Sequence, residues 1–139
     1  MEISESKLAG RIDQFIMTGV VGLVHLLRMC SKDSGSPELA REIREFVSRP
    51  VPDLAIMLPN KDGVLFEPHT KDDWNSVSFD HWPIIENDLD TFIGNQYREA
   101  IDLLTPWIER GVLNRERVLE FVPEKYEKYV VNDAKKITH

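Results

Sequence analysis

Apolar residues recur at three- and four-residue spacing through the first part of the chain: Leu8, Ile12, Phe15, Ile16, Val20, Leu23, Val24 and Leu27. That spacing lays one continuous apolar stripe along a helix, predicted over residues 6–32. Gly19 and Gly22 interrupt it, each costing up to about 1 kcal/mol of helix propensity relative to alanine. A kink, a break into two helices or the close approach of another helix would each account for them. Val21 and Leu26 widen the apolar surface, so the helix is expected to be central or to face a second subunit.

Asp33, Ser34 and Gly35 read as a loop. Ser36 is a good N-cap, with Pro37 at the first helical position and Glu38 beside the positive helix end. Leu39, Ile43, Phe46 and Val47 give a short amphipathic helix, stopped by Pro50 and Pro52. Two short apolar runs, 54–58 and 64–66, then flank a Gly-containing turn over 59–63, which predicts a β-hairpin near residues 54–66.

Residues 67–80 carry no such period and are expected to cross the surface as a loop, with Asp80 capping the next helix and Pro83 in its first turn. Ile84, Ile85, Leu89, Phe92 and Ile93 supply the apolar side of that helix. Gly94 and Asn95 would bend or end it; Tyr97, Ile101, Leu104 and Ile108 continue the pattern, with a kink or restart at Pro106. Gly111 is a natural C-cap, Asn114 caps a helix over 115–122, and Pro123 opens a last helix carrying Tyr126, Tyr129 and Val130. The tail 133–139 is expected to fray. The reading is a mainly-α single domain over residues 1–139: a small bundle of about five to six helices with a short hairpin inserted.

Charge changes this picture, because it is concentrated. The net charge is −7, and residues 53–90 hold nine carboxylates against two lysines, while both flanks are balanced. The same stretch carries Trp74, Phe79, Trp82, His69 and His81. An acidic chain lacks the basic stripe of a direct nucleic-acid binder and is not suited to anionic lipid. The uncharged run 14–27 is too short to span a bilayer and lacks the flanks of a signal peptide. A single cysteine, Cys30, excludes an internal disulfide and any cysteine-only zinc site. The cytoplasm is the expected location, with no membrane association.

Several chemistries can be weighed against those residues. His69, Asp72, Asp73, Asp80 and His81 fall close together and are competent ligand types for zinc, manganese or iron, but their spacing matches no established metal motif. Pro52 and Asp53, then Glu67, loosely echo a metal-dependent nuclease arrangement in which His69 stands where a lysine is needed. There is no nucleophile elbow and no phosphate-binding glycine loop. Residues 109–117 have the outline of a helix–turn–helix with Arg110, Arg115 and Arg117, yet Glu109, Glu116 and Glu120 neutralise them.

The leading expectation is therefore a non-enzymatic protein that captures a basic partner protein through an acidic, aromatic face. Asp72, Asp73, Asp80, Glu86, Asp88 and Asp90 would steer and pair, and Trp74 and Trp82 would anchor. By class analogy such a chain acts as an immunity protein, an antitoxin or a phage-encoded inhibitor. No cofactor is expected, and the chain would be a monomer or homodimer. The alternatives are a small metal-dependent hydrolase using His69, Asp72, Asp73 and His81, and a self-associating helical adaptor with its seam on residues 15–27.

Overall fold

A computed structural model of the chain describes residues 3–50 and 56–130. The first part of the expected hairpin run, Asp53, and the expected frayed tail lie outside the described residues. The fold is mainly helical with a small antiparallel hairpin, as the periodicity predicts. In chain order come α1 (Ile3–Ser34), α2 (Pro37–Ser48), β1 (Leu58–Pro59), β2 (Leu65–Phe66), α3 (Lys71–Asn75), α4 (Trp82–Glu109) and α5 (Arg115–Glu120). Short 3-10 turns occupy Phe79–His81 and Glu124–Tyr126, and residues 127–130 are helical. Contacts group the chain into two compact units: the first comprises Met1–Thr18 and Pro52–Phe92, the second Gly19–Val51 and Ile93–His139.

The first unit has a core of Leu8, Ile12, Ile56, Leu58, Val77, Trp82, Ile85 and Leu89, with Phe15, Ile16, Phe66, Trp74 and Phe79 packed against it. Its hairpin pairs Leu58 with Phe66 and Pro59 with Leu65. Pro59 belongs to a strand rather than to the turn, which a proline tolerates at an edge because no ladder donor is required there. The Asn60 side-chain oxygen organises the turn by accepting the N–H groups of Asp62 at 2.9 Å and Val64 at 3.0 Å.

Residues 67–80 differ from the expected plain loop. Thr70 starts α3 with a capping box: its hydroxyl accepts the Asp73 N–H at 3.1 Å, and the Asp73 carboxylate accepts the Thr70 N–H at 3.0 Å. Five residues are too few to display an apolar period, so only the cap marks this helix. Asp80 does not cap α4. Ser78 takes the cap role, accepting the Asp80 N–H at 3.2 Å, and the 3-10 turn it opens runs directly into α4 at Trp82.

In the second unit, α1 passes through Gly19 and Gly22 unbroken, so the expected kink or break gives way to the third option, close approach. A Cβ on Gly19 would lie 2.6 Å from Ile93 Cδ1, and one on Gly22 would lie 2.5 Å from the Tyr97 hydroxyl. Gly94 likewise leaves room for the Tyr129 ring instead of ending α4, which continues past Pro106 to Glu109. Tyr97 is buried and stacks on Tyr126 with centroids 5.4 Å apart. Ser36 caps α2 as expected, accepting the Leu39 N–H at 3.3 Å.

The end of α4 is a Schellman motif. Gly111 has φ +78°, its N–H reaches the Ile108 carbonyl at 3.0 Å, and the Val112 N–H reaches that of Trp107 at 3.0 Å. Asn114 then caps α5 by accepting the Arg117 N–H at 3.0 Å. That helix stops at Glu120, two residues before the expected 122.

Candidate partner-binding site

Charge separates the two units sharply. The first holds twelve carboxylates against four lysine and arginine side chains; the second holds twelve against thirteen. Even if every cation of the first unit paired within it, eight carboxylates would keep no cation of their own unit.

The expected site residues take distinct positions within that unit. Asp72 on α3 and Asp80 in the following 3-10 turn are exposed. Asp73 is bound up in the α3 cap, where the N–H groups of His69 and Thr70 both donate to it at 3.0 Å. Those donors stabilise the charged form and hold its carboxyl below the usual range, the His69 N–H first. Trp74 is half-buried, with its body against the core and part of its surface open.

Trp82, the other expected anchor, lies in the core at 9% exposure. Its indole N–H donates to Glu86 Oε2 at 3.3 Å, Phe15 meets it edge-on with centroids 6.2 Å apart, and the Arg11 guanidinium sits 4.2 Å over its ring. Arg11 also lies 5.7 Å from the Phe79 ring centre. The burial of Trp82 follows from position: it lines up with Ile85 and Leu89 at three- and four-residue spacing, on the apolar stripe of α4.

Glu86, Asp88 and Asp90 are all half-exposed on α4, but they do not form one row. Glu86 and Asp90 are four apart and share a flank. Asp88 lies roughly 160° around the helix from Asp90, on the opposite flank beside Ile84. The carboxylates of α4 therefore border its exposed face from both sides.

The histidines do not build a ligand set with them. His69 Nε2 lies 3.7 Å from the Glu67 carboxylate, and among the described residues no group of three or more His, Cys, Asp or Glu side chains could hold a metal ion. Cys30 is buried, and burial first, then the Asp33 charge, push its thiol up to about 11, against a smaller opposing effect of Arg117. His25 is exposed and meets Phe121 edge-on at 5.4 Å. Arg117, in the helix–turn–helix outline, pairs with Asp33 at 3.3 Å and Glu120 at 3.4 Å.

α1 and α2 enclose a groove of about 390 Å³ floored by Val24, Leu27, Ala40, Ile43 and Val47, with Arg28, Lys32 and Arg44 along it. The apolar periods of both helices were legible, but which flanks would meet is a tertiary property. Comparison with family models, with curated proteins and with solved structures gives no match.

Proposed function

We propose that this chain is a non-enzymatic binding protein whose first unit captures a basic partner protein and covers its charged site. The observation that carries this reading is the excess of carboxylates in that unit, twelve against four cations, beside a larger second unit with as many carboxylates whose charges balance. Self-repulsion of that kind opposes a compact state, and a partner's cations relieve it. Asp72 and Asp80 steer the partner in, and the open part of Trp74 anchors it. Glu86 and Asp90 extend the acidic surface along one flank of α4, and Asp88 along the other. Asp73 and Trp82 build and hold the surface: one caps α3, the other fills the core. An immunity protein, an antitoxin or a phage-encoded inhibitor would work in this manner.

The test compares two baits in a lysate of the source, the wild-type chain and Asp72→Lys/Asp80→Lys. Neither substituted side chain serves as a helix cap, so both baits should fold cooperatively, with a melting shift no larger than the exchange of a first-turn charge produces. The wild-type bait should retain a protein of high pI that elutes as salt rises and that the variant does not retain. Identical capture by both baits would refute the proposal.

A further inference from the structure

We propose that α1 pairs antiparallel with α1 of a second copy of this chain, about a two-fold axis passing between Val20 and Val21. This inference is independent of the acidic surface. Met17, Val20, Val21 and Val24 are 64%, 49%, 62% and 38% exposed, four large apolar side chains in a run on one helix. At about 100° per residue they fall within roughly 50° of a single line along α1. Among the described residues, α4 meets α1 from the other side of the helix, where Gly19 and Gly22 admit Ile93 and Tyr97, and α2 borders the stripe only at its end, where Val24 and Arg28 line the open groove. Single exposed apolar residues are ordinary, but a contiguous stripe of them marks an interaction surface.

The charges at the two ends identify the occupant. Asp13 and Arg28 are exposed and lie on the same line, equally far from the midpoint between Val20 and Val21. An interface between identical copies must be self-complementary across its two-fold axis. Antiparallel pairing meets that condition at every position of the stripe. Val20 faces the second copy's Val21, Met17 faces its Val24, and Asp13 faces its Arg28. A parallel pair would set Asp13 against Asp13 and Arg28 against Arg28. The bilayer fits less well, although Gly10–Ser34 is apolar and long enough by composition to cross one. Asp13 and Arg28 bracket a stripe of about 22 Å, short of the roughly 30 Å hydrocarbon layer. A seam of one helix per copy is small, so the dimer is reversible.

Sedimentation velocity of the full chain over a range of concentrations reads this directly. The expected result is a shift toward twice the 16.1 kDa chain mass as concentration rises. Val21→Asp, at an exposed position, should abolish the shift and leave melting unchanged at dilutions where the wild type is monomeric. Asp13→Arg and Arg28→Asp should each weaken the dimer about tenfold or more, and the two together should restore it. Val21→Cys should form a disulfide-linked dimer on oxidation, whereas Asp13→Cys should not; buried Cys30 does not compete. A monomer at every concentration would overturn the proposal. So would a dimer indifferent to Val21→Asp, a double charge swap without restoration, or cross-linking through Asp13→Cys. Flotation of the wild-type chain, but not Val21→Asp, with neutral phosphatidylcholine vesicles would assign the stripe to lipid and overturn it equally.

Discussion

The two units build their cores by different means. The first draws on parts of α1 and α4, a hairpin of two-residue strands, a five-residue helix and a 3-10 turn. Side-chain caps at Asn60, Thr70, Asp73 and Ser78 satisfy the backbone where regular ladders are too short to do so. The second has only helical elements among its described residues, sealed by glycines that admit Ile93, Tyr97 and Tyr129, and its charges pair across sequence, as in Arg49–Glu99 at 2.8 Å and Arg117–Asp33 at 3.3 Å. One unit therefore supplements its helix ladders with a run of side-chain caps through residues 60–78 and leaves carboxylates in excess. The other carries its backbone on helix ladders and neutralises itself. The lesson is that the acidic excess is not a requirement of this kind of folding: the second unit holds as many carboxylates and matches them.

The largest expected effect strikes the second unit's core. Leu104→Ala removes a fully buried side chain and should cost about 2–5 kcal/mol in denaturant unfolding. Leu89→Ala in the first unit is equally buried, so a much smaller loss there would mean that a core closed by short elements relaxes around the cavity. Next comes the glycine contact. Gly22→Val drives two methyl groups toward the Tyr97 hydroxyl and should cost about 1–3 kcal/mol, where a neutral outcome would deny that α1 and α4 approach as closely as described.

Thr70→Ala removes half of the α3 capping box and should lower stability by about 1 kcal/mol. Gly10→Ala makes the opposite prediction to Gly22: no atom lies within 4 Å of the added Cβ, so melting should rise, by about 0.5–1 kcal/mol of stability. The smallest effect is a dependence on pH. The native Asp73 carboxyl titrates below its unfolded value, so its contribution is fully present above the ordinary carboxylate range and is lost as pH falls through the native value. Asp73→Asn should lower stability near neutral pH, where the wild-type carboxylate contributes, and converge on the wild type in acid, which flattens the acid limb of the stability curve.

Much of this comparison was legible in local chemistry. Ser36 with Pro37, Gly111 and Asn114 each act at the position where the sequence places a cap, because a cap needs only its own few neighbours. The hairpin was legible from a Gly-containing turn between two apolar runs, although Pro59 moved from turn to strand. The α3 helix has no apolar period, and its Thr-x-x-Asp box is the one local signal that marks it. The rest depends on distant partners. No spacing in the sequence distinguishes a glycine that kinks a helix from one that admits Tyr97. The acidic composition around Trp82 suggested an anchor, whereas its three- and four-residue relation to Ile85 and Leu89 carried the information that it is core.

Amide hydrogen exchange tests the central claim most directly, comparing the chain alone with the chain bound to the protein its wild-type bait retains. Exchange should slow on binding across residues 67–92 of the first unit, around Asp72, Trp74 and Asp80. Slowing confined to residues 19–50 and 93–130, or none at all, would contradict the assignment of partner capture to the acidic unit.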